Sequence, residues 1–169
     1  PFLSDQVIIY THKGNPITAS PNVRKHLAKF KNKNTCKEVA EGKHAWWSLH
    51  RARDPEIFTS PKIIGLTTAK TIQLVFDETQ NLYVTDAMYV FRPAKGLDPV
   101  GLMAVMQSKT FLYLYRLSNQ GESRVIPQIK AAKLHELPFP KAKDITGSMI
   151  SDKAKRLMSL NKSLAEFSS

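Results

Sequence analysis

The chain has 169 residues, 42% of them hydrophobic, enough to bury a core in one domain or in one domain with an appendage. Lys and Arg total 25 against 14 Asp and Glu, a formal charge of +11 with a pI near 9.8, which makes phosphate-bearing partners, nucleic acid first among them, the expected class. The single Cys36 excludes an intramolecular disulfide and no apolar run approaches the roughly 20 residues of a membrane span, so the expected setting is cytoplasmic and away from any membrane.

The chain begins at Pro1-Phe2-Leu3, with neither an initiator Met nor a signal pattern, and reads as a piece of a longer protein. Residues 7–10 fit a strand, and Gly14-Asn15-Pro16 is a turn signal. Ser20-Pro21 opens a helix running to Phe30, with Val23, Leu27 and Phe30 at helical spacing and Arg24, Lys25 and Lys29 facing elsewhere. A loop at residues 31–34 follows. The stretch Trp46-Trp47-Ser48-Leu49-His50-Arg51-Ala52-Arg53 then spends both tryptophans side by side before two arginines. On an extended strand successive side chains alternate faces, so one indole is expected in the core and one at a boundary. Arg51 and Arg53, two apart, would share a face and reach phosphates or the acceptor edge of guanine. The alternative is a solvated basic loop whose arginines stack on aromatic rings.

Residues 62–66, 71–76, 82–84 and 87–91 are rich in β-branched and aromatic side chains, and residues 77–81 make a turn among them; the pattern predicts an antiparallel sheet. Residues 100–106 and 111–115 supply a helical cover. Prolines 138 and 140 close the compact part. After a polar linker through Gly147, residues 150–167 form an amphipathic helix with Leu157, Leu160, Leu164 and Phe167 as its stripe and Lys153, Lys155, Arg156 and Lys162 around it. This helix either packs on its own domain or meets a partner. The expected division is therefore 1–140 and 141–169, in an α+β fold.

Catalytic parts are missing. The seven glycines are scattered, without a phosphate loop or a dinucleotide fingerprint. Asn15-Pro16 lacks the second proline and the aromatic with which amino-methyltransferases grip an extruded base. Asp54 and Glu56 with Lys62 match a metal-dependent nuclease only superficially, because no strand context surrounds them. Cys36, His44 and His50 are too loosely spaced for a metal set, and no nucleophile elbow appears. The expectation is a binding module, not an enzyme, with no metal or cofactor of its own.

The ordered series HLAKFKNK, WWSLHRAR, FTSPKIIGL, FDETQNLYVTDAMYVF, GLMAVMQSKTFLYLYR and LHELPFP, spanning about residues 20–140, resembles the C-terminal specificity domain of TaqI-type adenine-specific DNA methyltransferases, a family that includes type IIG restriction-modification enzymes. The resemblance implies an α+β target-recognition domain with an irregular, twisted antiparallel β core and a helical hairpin. It implies duplex DNA as partner, held between this domain and the catalytic domain of the same parent chain, into which the target adenine is flipped and where S-adenosyl-methionine binds. Matched to this sequence, the family's elements fall on Trp46, Trp47, Leu49, Arg51 and Arg53; on Pro61, Lys62 and Ile63; on Asp77 and Tyr83; and on Asp86 and Tyr89. The family's Asn-Ser-Lys is here Gln107-Ser108-Lys109, which leaves the local cap chemistry open. Features shared by enzymes with different targets do not choose the target. Arg51, Arg53, Lys62 and Lys109 are thus expected at the DNA backbone, with Trp46, Trp47, Asp86 and Tyr89 as framework. Base reading is expected from loops containing Lys13 and Asn15, Thr67, Thr68 and Lys70, and Asn119, Gln120 and Arg124. The tryptophans would stiffen the segment that carries Arg51 and Arg53 and deliver Lys62 to the start of the sheet. An RNA-binding or subunit-interaction module is the alternative.

Overall fold

Short elements joined by polar turns dominate the first third of the chain, where apolar side chains are sparse. The computed structural model describes residues 8–14, 17, 20–79, 82–119 and 128–167, and the chain divides into two compact units, residues 1–54 and 55–169. In the first unit α1 (Pro21–Ala28) starts on a proline, whose fixed φ suits the first helical turn, after an uncapped Ser20. One further turn of helix, α2 (Lys37–Ala40), follows. Residues 8–10 are not a strand; the chain there is held by Tyr10 donating to the Arg53 carbonyl at 2.7 Å and Thr11 donating to that of Trp47. Only Ile17 and Ser48 are buried among the described residues of this unit.

The second unit is built on β1 (Lys62–Leu66), β2 (Leu74–Asp77) and β3 (Met88–Phe91), antiparallel in the order β2-β1-β3. Ile64 lies opposite Val75 on one side and Val90 on the other. As the central strand β1 is buried from Lys62 to Gly65, which explains its run of apolar residues without alternation. A Cβ on Gly65 would come 2.6 Å from Leu74 Cδ2, so the missing side chain lets β2 close over β1.

Two capped helices cover the sheet, as the apolar patterns predict. Asp98 accepts from the Val100 N–H at 3.1 Å at the start of α3 (Pro99–Met106), and Ser108 accepts from the Phe111 N–H at 3.1 Å at the start of α4 (Lys109–Ser118). Met103, Met106, Phe111 and Tyr115 pack with Ile63, Ile72 and Leu74 of the sheet region, joined by Ile129, Leu134 and Leu137. Burial of each such large side chain contributes about 1.5–3 kcal/mol. The molecule is thus α+β: a small three-stranded antiparallel sheet with several helices.

Three expectations are corrected. Residues 82–84 do not form a strand, because the Leu82 N–H donates to the Asp77 carboxylate at 3.1 Å instead of to a neighbouring strand, and Tyr83 stacks on Phe58 with ring centroids 4.6 Å apart. The strand expected at 71–76 starts only at Leu74, whose N–H is taken by the Gln107 side chain at 3.0 Å. Gln107 therefore ties the α3–α4 junction to the sheet. Residues 141–148, expected as a linker, are anchored: they contain α6 (Ala142–Ile145), which follows α5 (Ala131–His135), and Ile145 is buried. Thr146 donates to the Gly96 carbonyl at 3.2 Å and accepts from the Asp98 N–H at 3.0 Å. By compactness residues 141–169 fall in the same unit as the sheet, and the division between the two units is at residue 54.

The terminal helix α7 (Met149–Phe167) has two different halves. Its first turns pack on α3: Ser151 is buried and donates to Asp98, and Lys155 reaches Asp98 at 3.2 Å. From Lys155 to Leu164 every side chain is exposed.

Candidate nucleic-acid interface

In the first unit, cationic residues outnumber what the unit can neutralise. Arg24 and Lys25 lie on α1, and Lys29, Lys31 and Lys33 continue from its end through a turn; all are exposed. Residues 24–37 contain six Lys or Arg and no Asp or Glu. Lys37 and Lys43 both reach Glu41, at 3.8 and 2.6 Å. The tryptophan stretch is a series of turns, so the alternation expected of a strand does not apply. Trp46 and Trp47 are both half-buried, and both line an open pocket of about 470 Å³. Arg51 is exposed in a turn, whereas Arg53 is half-buried with its carbonyl occupied by Tyr10, so the two do not present alike. Lys13 is exposed in the turn where the Gly14 N–H donates to His12 Nδ1 at 3.2 Å. Asn15 lies outside the described residues.

In the second unit Lys62 departs from expectation. It is fully buried, with its ammonium on Asp77 and donating to the Phe58 carbonyl at 2.7 Å. A buried, paired ammonium cannot meet a phosphate, so Lys62 is a framework residue. Burial alone would raise the Asp77 pKa, but hydrogen bonds from Lys62, from Thr79 at 2.7 Å and from the Leu82 N–H outweigh it and hold the carboxyl below its ordinary value. The same balance holds at Asp98, where burial is outweighed by Ser151, Lys155 and the Val100 N–H. Glu56 is also engaged, receiving the Arg92 guanidinium at 3.2 Å. Among the described residues no three His, Cys, Asp or Glu side chains are arranged to hold a metal ion.

The loop containing Thr67, Thr68 and Lys70 is joined to the segment at 128–130, which was not among the expected base-reading residues. Thr68 pairs with Gln128 as an isolated antiparallel bridge, and the Ile129 N–H donates to the Thr67 carbonyl at 2.8 Å. The segment at 128–130 is further held by Tyr89, which donates to the Ile129 carbonyl, and by Tyr115, which donates to the Gln128 carbonyl at 3.1 Å and accepts from the Lys130 N–H at 2.9 Å. Lys70 is exposed, and its carbonyl accepts from Arg116 at 3.4 Å, so the end of α4 and the 67–71 loop meet. Asn119 closes α4 by donating to the Tyr115 carbonyl at 2.8 Å. Gln120 and Arg124 lie outside the described residues. Asp86 is exposed in the turn before β3. Lys109 is exposed in the first turn of α4, where the helix dipole opposes a cation, so its placement does not stabilise the helix.

Sequence reasoning missed Arg116 and the cationic run on α1. Arg116 gave no local signal, since its partner lies 46 residues away. The α1 cations were visible in the sequence, but a charged helix face is the ordinary state of a solvated helix. Compared with known proteins, the chain matches no family and no curated protein.

Proposed function

We propose that the chain is a non-catalytic specificity domain that reads duplex DNA for a larger S-adenosyl-methionine-dependent adenine-N6 methyltransferase or type IIG restriction-modification enzyme. The observation that carries this reading is the set of exposed cations in the first unit, Arg24, Lys25, Lys29, Lys31, Lys33 and Arg51. Such a surface costs self-repulsion and is repaid by displacing counterions from a phosphate backbone. The paired loops around Thr68 and Gln128, held by tyrosines from β3 and α4, are rigidly mounted polar edges of the kind that base reading requires. The order of motifs resembling the TaqI-type domain supports the same reading. The cofactor and the methyl transfer would reside in the catalytic domain of the parent.

The test is a salt titration of binding to a randomised duplex pool, with bound molecules sequenced, beside duplex RNA and single strands. Enrichment of a short duplex motif over a steeply salt-dependent background is expected. The double variant Arg51→Ala, Arg53→Ala is expected to weaken binding to all sequences alike and to flatten the log K against log salt slope by about 1 for each phosphate that goes unneutralised. A preference for RNA, or a shallow salt dependence, overturns the proposal.

A second reading, a subunit-interaction module, is favoured by one observation. Leu157 and Leu160 are 62% and 52% exposed on α7, apolar side chains at the surface of a helix whose other end is well packed. The two readings are compatible in one protein.

A further inference from the structure

One open pocket lies within the first unit. Its volume of about 470 Å³ lies in the range of small-ligand sites. Both tryptophans of the chain line it, with His44, His50, Lys33 and Asn34, and Cys36 and the Glu38 carboxylate are on the same wall. The two imidazole rings are stacked, centroids 5.0 Å apart and 14° from parallel, so each covers one face of the other and the indoles are the remaining large aromatic groups of the wall. His44 Nδ1 lies 3.0 Å from the Ala45 carbonyl. Its Nε2 lies 3.9 Å from Cys36 Sγ, so both ring nitrogens already have partners within the chain. Beside these groups the exposed Lys33 continues the cationic run from α1.

Indole and imidazole rings, an amide and an ammonium in one cavity fit a particular ligand chemistry, a planar heterocycle with polar edges that carries a phosphate. A purely apolar ligand would make no use of Lys33 and Asn34, and a bare phosphate would leave the indoles unused. We propose that this pocket receives one unpaired nucleotide, its base against the indole and imidazole faces and its phosphate on Lys33. The inference rests on the nucleic-acid reading above and gives the first unit a task that the loops of the second do not perform, holding a nucleotide that has left the helical stack.

Both tryptophans line the pocket and the chain has no others, so intrinsic emission reports the site directly. The experiment titrates the chain with an intact duplex, the same duplex carrying one extrahelical adenosine, AMP and inorganic phosphate. Tryptophan emission is recorded, and binding of labelled DNA is measured separately by anisotropy. The extrahelical adenosine is expected to bind about ten-fold tighter than the intact duplex and to quench the emission, as stacking on an aromatic platform does. AMP should give the same quench at higher concentration, and phosphate should give none. The exposed His50→Ala variant should lose the preference for the extrahelical base while keeping its affinity for intact duplex. Equal affinity for both duplexes with unchanged emission overturns the pocket's assignment and leaves the DNA-recognition reading standing. Quenching by AMP with no binding to either duplex supports the ligand chemistry, identifies its source as free nucleotide and removes the recognition reading. No response to any of the four overturns both.

Discussion

At Lys62 a charge that looks like a DNA contact is part of the core. The side chain leaves the exposed Pro61 and turns inward, and Asp77 waits 15 residues along the chain to receive it. Desolvating both charges is costly, and the pair is sustained only because Phe58, Thr79 and Leu82 complete the hydrogen bonds. Removing one partner leaves an uncompensated buried charge. Asp77→Ala is therefore expected to destabilise the second unit by about 3–5 kcal/mol in urea denaturation, and the double variant with Lys62→Met to recover much of that loss. The folded-state pKa values of Asp77 and Asp98 are depressed, so the stability they contribute is present above the unfolded value and drains away as the pH falls through the folded one. A declining urea midpoint below about pH 4 is the expected result, with a smaller decline in Asp98→Asn. Nothing in the sequence separates Lys62 from Lys109. Both are single lysines close to apolar segments, Lys62 directly before Ile63 and Lys109 two residues before Phe111, and the strand pairing that places Asp77 opposite Lys62 is what buries it.

Among the elements, the sheet and its two covering helices were legible because period and propensity agree there: β-branched runs pair as strands, and Asp98 and Ser108 are side chains that cap. Residues 82–84 misled for the same reason, since Leu-Tyr-Val reads as strand, yet a side-chain acceptor outside the sheet claimed the Leu82 N–H. The segment at 141–148 misled through its polarity. Its one apolar anchor, Ile145, sits so close to α3 that a Cβ on Gly101 would come 2.8 Å from Ile145 Cγ2, and a single close approach of that kind leaves no periodic trace. The stripe on α7 was read correctly as amphipathic, but the packing lies elsewhere: Ser151 faces α3 while the leucines face outward. Leu157→Ser and Leu164→Ser are accordingly expected to change stability by less than about 0.5 kcal/mol, whereas Ser151→Leu overpacks the junction with α3 and costs about 1–3 kcal/mol in thermal denaturation. Sedimentation of the chain with and without residues 156–167 tests whether the exposed leucines support association.

For the whole molecule, the decisive contrast is between a second unit with a ten-residue buried cluster and a first unit with two buried residues among those described. A unit of that size with so little buried surface is weakly held. Hydrogen exchange is expected to open residues 20–50 well before β1, α3 and α4, and saturating duplex DNA to slow that opening if the cations of α1 are the binding surface. The division was hidden in the sequence because charge and polarity change gradually near residue 54, with no linker composition to mark it. The joining of the 67–71 loop to residues 128–130 carries a different consequence. Those links are made by main-chain atoms, Thr68 to Gln128 and Ile129 to Thr67, and every residue except proline brings the same donor and acceptor. Side chains at the rim can therefore drift through successive replacements without releasing the mount, which is the property that lets one scaffold acquire new preferences while its core stays the same.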